Sequence, residues 1–450
     1  MIVMKFGGSS VADAEHICHV AEIIKDRLER KPVVVLSAMG DTTDHLIEAA
    51  EKAINDGPVS VEHSLMKITE THFNAVQELN LSKMLTPELR ELLSELASLL
   101  SGISLIKELT AKTRDYLVSF GERLSTRVAA LYFQSVGINA RAVDAWDAGF
   151  ISDSNFTCAE LLKESWHTIP ATLIPLVESG ILPVVTGFIA KDEAGQITTL
   201  GRGGSDLSAT MIAAACKAEE AQVWKDVDGI LTADPRIVKK ARPVGAVTYE
   251  EAAELAFFGS QVLHPRAMRP CGKTGTPVFV KNSYNACAPG SIISASLPAD
   301  ANHVRAITTR GNITLVDIVS SRMVGQYGFL AEVFSKFAVH KISVDMVATS
   351  EVSVSLTVDS MADLSALKKE LSAIASVEIK TKKAIVTIIG SVAQSSTILE
   401  NIFGVCSRLG VHTQMVSHGA SKVNISFIVD GSEAALVVRA LHKKFFEDEN

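Results

Sequence analysis

Lys5 stands near the end of a short apolar run, Ile2-Val3-Met4-Lys5-Phe6, which breaks at Gly7-Gly8 and passes Ser9-Ser10 into a helical pattern. Positive charge late in a strand, beside glycines that open onto a helix, suits a bound phosphate, because unpaired backbone N–H groups point outward there. Taken alone, the same residues also fit an ordinary strand-to-helix turn. A second glycine-rich stretch, Gly201-Arg202-Gly203-Gly204-Ser205-Asp206, sets one arginine among three glycines ahead of an apolar helix and forms a second candidate anion cradle. Neither the dinucleotide-binding fingerprint nor the P-loop describes it. Gly272-Lys273-Thr274 fails as a P-loop because Ala267 occupies the place of its first glycine. Glu122, directly after Gly121, suits either a helix dipole or a substrate ammonium. Ser37 and Thr43 follow the second apolar strand, where ligands of parallel sheets gather.

Such scattered groups need a scaffold that gathers them. Ile17, Val20, Ala21, Ile24 and Leu28 recur at helical spacing, with Ser9 or Ser10 placed to cap the helix. Pro32–Leu36 reads as a buried strand, so strand, helix and strand form a βαβ unit with parallel neighbours. Helices are expected at His45–Ala53 and throughout Val61–Thr113, where Leu89, Leu92, Leu93, Leu96, Leu99 and Leu100 make an apolar stripe continued by Ile103 and Ile106. One helix should end near Phe120-Gly121 and another begin with Glu122 at its mouth. Further strands are expected at Ala140–Val143, Ile181–Thr186, Ala221–Trp224 and Thr276–Lys281, and helices at Ala159–Glu178, Ala209–Lys217 and Tyr249–Phe257. A hairpin is expected about Asp192–Gly195 and a loop at Gly259–Pro265, and Pro289, Gly290 and Pro298 mark a linker. Beyond it, two βαββα units repeat, one from Ile313 to Ile374 and one from Ala384 to Phe446. This is an internal duplication of an α+β sandwich.

The chain has 450 residues, enough for two or three domains. Its net charge of −8 argues against a general nucleic-acid binder, so local cations must hold any anionic substrate. The six cysteines are scattered without metal-ligand spacing, as reduced thiols in a cytoplasmic enzyme would be. A strand beginning at Ile2 leaves no room for a targeting peptide, and no apolar run approaches membrane-spanning length.

Read together and in order, Lys5-Phe6-Gly7-Gly8-Ser9-Ser10-Val11, Gly121-Glu122, Thr199-Leu200-Gly201-Arg202-Gly203-Gly204-Ser205-Asp206 and Val262-Leu263-His264-Pro265 resemble aspartate kinase. The resemblance covers essentially the whole chain. Val35–Gly40, Trp224–Gly229 and Gly325–Leu330 are similar to the monofunctional plant-type branch, and nothing after Asn450 resembles a fused homoserine dehydrogenase. It implies an α/β amino-acid-kinase fold over residues 1–295, a mostly parallel sheet with helices on both faces. Two α+β ACT-like domains of βαββαβ type follow at 304–383 and 384–447, with strand 304–309 pairing into the second.

The resemblance further implies ATP- and Mg2+-dependent phosphorylation of the side-chain carboxylate of L-aspartate, the entry to lysine, threonine and methionine synthesis. A carboxylate is already ionised at neutral pH, so positive charge around the transferring phosphoryl group is what such a site must supply. Lys5, Gly7, Gly8 and Ser9 match the phosphate side, and Lys225, Asp226, Leu231, Arg236, Gln261 and Val262 the rest of the nucleotide site. Arg202 would hold the α-carboxylate and Glu122 the α-ammonium, with Ser37, Thr43, Gly203, Gly204 and Ser205 completing the amino-acid site. Asp206 would orient Lys5 or position magnesium, and no protein side chain is assigned as a metal ligand. Many bacterial relatives have lysine at Gln261, threonine at Lys225 and tyrosine at Leu231; if the lost lysine touched phosphate, Lys225 could supply the missing cation. Met323, Gln326, Gly328, Phe329, Leu330, Ser343, Val344, Asp345, Thr349, Ser350 and Glu351 match positions that bind lysine between two subunits in lysine-sensitive relatives. Feedback inhibition by L-lysine and a homo-oligomer, a dimer through the ACT domains or a tetramer, are therefore expected. Kinases of glutamate, acetylglutamate or nucleoside monophosphates, and a catalytically silent amino-acid sensor, are the competing readings.

Overall fold

The computed structural model describes the chain apart from residues 57, 82–86, 260–262, 298–303, 325–326, 360–362, 392–394, 419–421 and 449–450. It has two compact units, Met1–Ile230 with Val262–Leu297, and Leu231–Gln261 with Pro298–Asn450.

In the first unit, β1 (Ile2–Phe6), α1 (Ala14–Lys25), β2 (Pro32–Leu36), α2 (Thr42–Asn55), α3 (Pro58–Glu78), α4 (Pro87–Ile106) and α5 (Ala111–Ser135) come first. Then follow β3 (Ala140–Val143), β4 (Ile151–Ser152), α6 (Ser165–Glu178), β5 (Leu182–Thr186), β6 (Ile189–Asp192), β7 (Ile197–Thr199), α7 (Gly204–Ala215) and β8 (Ala221–Lys225). The chain next contributes β9 (Ala246–Thr248) and α8 (Tyr249–Phe257) to the second unit. It returns through α9 (Pro265–Thr274), β10 (Val278–Asn282) and β11 (Ser291–Ser294). The main sheet of the unit runs β3-β5-β2-β1-β8-β10-β11, parallel except for the antiparallel pair β10–β11. Every residue of β1, β2 and β5 is buried, as expected where helices cover both faces of a parallel sheet. A small separate sheet, β4-β6-β7, contains the hairpin expected about Asp192–Gly195.

The helical region between α2 and α5 buries Leu89, Leu92, Leu96, Leu100 and Ile103 in one core with Leu93 and Leu99 packed against it, whereas Ile106, at the end of α4, is exposed. Several local expectations fail for physical reasons. Asp13, whose side chain accepts the His16 N–H at 3.0 Å, caps α1 in place of Ser9 or Ser10, which lie in a one-turn 3-10 helix at Gly8–Val11. The helix expected from Ala159 starts only at Ser165, because Leu161 first bridges to Ser152. α9 was concealed by Pro270, Gly272 and Gly275, although Pro265 at its first turn is a favourable start. α5 continues through Gly121, so Glu122 lies mid-helix and not at a helix mouth.

In the second unit, β12 (Val304–Val319), α10 (Phe329–Val339), β13 (Val344–Thr349), β14 (Ser353–Asp359) and α11 (Ser365–Leu371) form the first repeat. β15 (Ser376–Gly390), α12 (Ser395–Leu409), β16 (Met415–Ser417), β17 (Asn424–Asp430) and α13 (Ala434–Phe446) follow. The strands make one antiparallel sheet, β13-β14-β12-β15-β17-β16. Its two central strands serve both repeats. Ile313–Val319 of β12 pairs with β14 and with the first half of β15, while Val304–Arg310 pairs with Ile385–Gly390. The first half of β15 was not anticipated, because Glu378, Lys380, Lys382 and Lys383 dilute its apolar pattern.

Candidate active site

Lys5 and Lys225 occupy the carboxyl ends of adjacent parallel strands, with Lys5 beside Val223 and Phe6 beside Trp224 in the ladder. The sequence from β1 to α1 is therefore a strand-to-helix crossing at the sheet's ligand-binding edge. Asp206, in the first turn of α7, meets both ammoniums. Its Oδ1 lies 2.7 Å from Lys5 Nζ and its Oδ2 3.5 Å from Lys225 Nζ. Burial pushes the Asp206 carboxyl up, but the two lysine charges outweigh it and hold the group below its ordinary value. Lys225 is pushed down, first by burial and then by the Lys5 charge, against the pull of Asp206. One carboxylate thus neutralises half of a two-lysine cluster and leaves net positive charge for an anion.

Glu122 is buried, with one carboxylate oxygen, Oε2, lacking a hydrogen-bond partner among the described residues. Desolvation pushes it up to about 8, against the backbone N–H of Ala38, its own N–H and the Lys5 charge, which pull it down. Its position depends on close backbone approach. A Cβ on Gly121 would lie 2.7 Å from that of Ala38, and one on Gly8 would lie 2.9 Å from the carbonyl oxygens of Ala38 and Gly40. Only glycines at these two positions let α5 and the β1 turn close on the turn after β2. That turn carries half-buried Ser37, and Thr43 in the first turn of α2 lies beside Gly121.

The loop Gly201–Ser205 enters α7 through Gly203, whose φ of 72° caps the helix without a side chain. Arg202 is exposed and makes no ion pair among the described residues, so its guanidinium is free for a carboxylate. Two residues given no role by sequence reasoning support this loop. His264 packs on Gly203, where a Cβ would lie 2.5 Å from its own, and burial with nearby arginines pushes its imidazole down. Asp115 is buried on α5 and accepts hydrogen bonds from the Thr199 N–H, the Thr199 hydroxyl and the Thr157 N–H, all at 2.8 Å. It pins the strand end that leads to Gly201. An isolated acid in a helical pattern gave no signal of this.

The structure thus brings Lys5, Gly7, Asp206 and Lys225 together, and sets Glu122 against the Ala38 turn. Ser9 is exposed, and its carbonyl accepts the Tyr284 hydroxyl at 3.1 Å. Asp226 is exposed after β8. Leu231 and Arg236 belong to the second unit, where Leu231 bridges to Pro243 and Arg236 pairs with Asp234 on the surface. Gln261, Val262 and Gln326 lie outside the described residues. Among the described residues no three acidic, histidine or cysteine side chains gather as a cation site.

The residues matched to an effector site divide by environment. Phe329 and Val344 pack with the first repeat's core, as does Met323, while Leu330, Ser343, Thr349 and Glu351 are more open to solvent. Gly328 caps α10 in the left-handed region, and Ser350 closes a turn by accepting the Ser353 N–H at 3.1 Å. Asp345 already has a cation, Arg310, at 3.1 Å. An effector ammonium would have to compete with that guanidinium.

The raised pKa of Glu122 has a thermodynamic consequence. Its protonated form is favoured by folding, so its contribution to stability is complete below about pH 4.5 and is lost as pH rises to about 8. Glu122→Gln removes this loss. The ligand-free variant is expected to be a few kcal/mol less sensitive to pH between 5 and 8.5, read by denaturant unfolding at each pH. Equal pH dependence in both proteins would contradict the assignment.

Residues 1–282 match the Amino acid kinase family, and residues 316–369 and 386–445 match the ACT domain. Aspartokinase 1, chloroplastic, of Arabidopsis thaliana is 50% identical over 99% of this chain and 80% of its own length. E. coli aspartokinase III in complex with aspartate and ADP has a TM-score of 0.84 at 33% identity, covering 99% of this chain and 100% of that one. The same enzyme in complex with lysine and aspartate has a TM-score of 0.81 at 34% identity over 99% and 100% of the two chains. With its glycine-lined lysine pair, buried glutamate and doubled C-terminal repeat, the chain belongs to the amino acid kinase family, among the aspartokinases that carry ACT domains.

Proposed function

We propose that this chain transfers the γ-phosphoryl group of ATP to the side-chain carboxylate of L-aspartate, giving 4-phospho-L-aspartate, under feedback control by L-lysine. The observation that carries the substrate reading is Glu122, a buried carboxylate with an unpartnered oxygen, near the lysine cluster. An amino acid's ammonium satisfies that oxygen and favours its ionised form. Arg202 takes the α-carboxylate, and Ser37 and Thr43 orient the chain. The side-chain carboxylate then faces the positive end of the site, where it attacks phosphorus without needing a base. Lys5 and Lys225 offset the charge that spreads over the transferring oxygens, and Asp206 holds Lys5 in place.

The lysine pair and the glycines at positions 7 and 8 fit a nucleotide's phosphates, and bound ATP supplies the phosphoryl group. Magnesium is expected to arrive with those phosphates, as it commonly does when few carboxylates are at hand. For Asp206 this favours the orienting role over metal positioning, because both its oxygens already face ammoniums. Regulation by lysine rests on the doubled ACT region and on the lysine-bound aspartokinase III described above. Exposed Val324 and Tyr327 in the first repeat support a dimer through this region. A cytoplasmic location belongs to the same reading, supported by six cysteines that form no disulfide, although the plant relative is chloroplastic. Among the described residues no helix is long and apolar enough to cross a membrane.

ADP release coupled to a spectroscopic reporter tests the assignment. Release is expected with aspartate and not with glutamate, and added lysine should lower it more than added threonine. Release with glutamate alone would overturn the substrate, and silence with every amino acid would favour a sensor. Arg202→Ala should raise the KM for aspartate by roughly two orders of magnitude, the cost of losing a bidentate charge pair. Lys225→Ala should lower kcat by about two orders of magnitude or more. A change within about twofold would remove Lys225 from the phosphoryl site.

A further inference from the structure

We infer that the cleft between α4, α5 and the β6–β7 hairpin is a second binding site, for a small organic anion with a flat or apolar body. The cleft has a volume of about 400 Å3, within the range of small-molecule sites. None of Lys5, Ser37, Thr43, Glu122 or Arg202 lines it. α5 sends Glu122 toward the Ala38 turn and the next residue, Arg123, into this cleft, so the two sites share a helix and no side chain.

Its charge is unusual for a chain of net charge −8. Lys112, Arg123 and Lys191 line the cleft with a single carboxylate, Glu95. That carboxylate is divided between two donors, the Tyr116 hydroxyl and Arg123 Nη2 at 3.2 Å. Arg123 Nε and Nη1 have no acceptor among the described residues, although the side chain is only 11% exposed. These two nitrogens are covered by protein, so an anion in the cleft would meet the charge of the guanidinium and not these two atoms. Lys112 and Lys191 make no ion pair among the described residues. Positive charge is therefore in excess, carried by a largely buried Arg123, a half-buried Lys191 and an exposed Lys112.

The aromatic groups define the rest of the ligand. Arg123 lies 4.8 Å from the Phe120 ring and 5.9 Å from that of Trp146, and Lys191 Nζ sits 4.0 Å over Trp146. Leu99 and Ile197 add apolar wall. Cations stacked on rings beside apolar side chains favour an anion carrying a planar or apolar group over a bare inorganic ion. Carboxylate, sulfonate and phosphate compounds share this chemistry.

Binding of 8-anilinonaphthalene-1-sulfonate, one fixed charge on a flat body, tests the site by fluorescence titration of the full chain. The parent should show a saturable component that weakens with added salt. In the Lys112→Ala/Lys191→Gln double variant, that component should weaken by about tenfold or more, while turnover with aspartate stays unchanged and so reports an intact fold. N-phenyl-1-naphthylamine, the uncharged analogue, should bind both proteins alike and weakly, and inorganic phosphate should compete poorly. Equal affinity of the sulfonate for parent and double variant would overturn the proposal. So would tight binding of the uncharged analogue, which would mark an apolar patch, or competition by phosphate as strong as that by the organic anion.

Discussion

Burying charge at the carboxyl ends of parallel strands is the constraint on which this site depends. β1 and β8 lie side by side in register, so ammoniums on Lys5 and Lys225 would repel one another in a nearly dry place. Asp206 makes the pair tolerable by facing both, and it does so from the first turn of a helix whose glycine cap brings it close. Removing Asp206 would leave two neighbouring ammoniums uncompensated, a cost of roughly 3–5 kcal/mol. The positive surplus that remains is the property a phosphate-binding site needs. Structure and chemistry therefore share one cause here.

Glu122 shows the same constraint with the opposite sign. Two glycines allow α5 and the β1 turn to close on the Ala38 turn, and the closing strips water from the carboxylate. The backbone N–H of Ala38 compensates only in part, so the group is held near pH 8 with one oxygen unmet. In the proposed function an amino acid's ammonium removes this cost on binding. In this view affinity for a zwitterion arises from desolvation imposed by backbone packing as well as from the presence of an acid.

How far the sequence discloses this varies with the type of signal. Long apolar runs such as Pro32–Leu36 and the leucine stripe of α4 are read correctly because burial on both faces, or at helical spacing, leaves a periodic trace. Lys5, Arg202 and Asp206 stand out because charge among glycines is rare outside anion sites. The continuity of α5 through Gly121 is concealed, since the glycine serves a contact with Ala38 that lies far away in sequence. Asp115 and His264 leave no local mark for the same reason, as their partners Thr199 and Gly203 come from other elements. The first half of β15 is hidden by its lysines, which a strand half open to solvent accepts. What is legible is periodic or chemically unusual, and what is lost depends on tertiary contact.

In the proposed function a desolvated Glu122 receives the substrate's ammonium, a step that proton linkage measures. Calorimetric titration of the full chain with aspartate at pH 7, in two buffers of different ionisation enthalpy, counts the protons exchanged on binding. With the free carboxyl near pH 8, binding is expected to release close to one proton per aspartate at pH 7 and progressively fewer above pH 8. Glu122→Gln should abolish the release. A binding heat that is independent of buffer in the parent protein would rule out this role for Glu122.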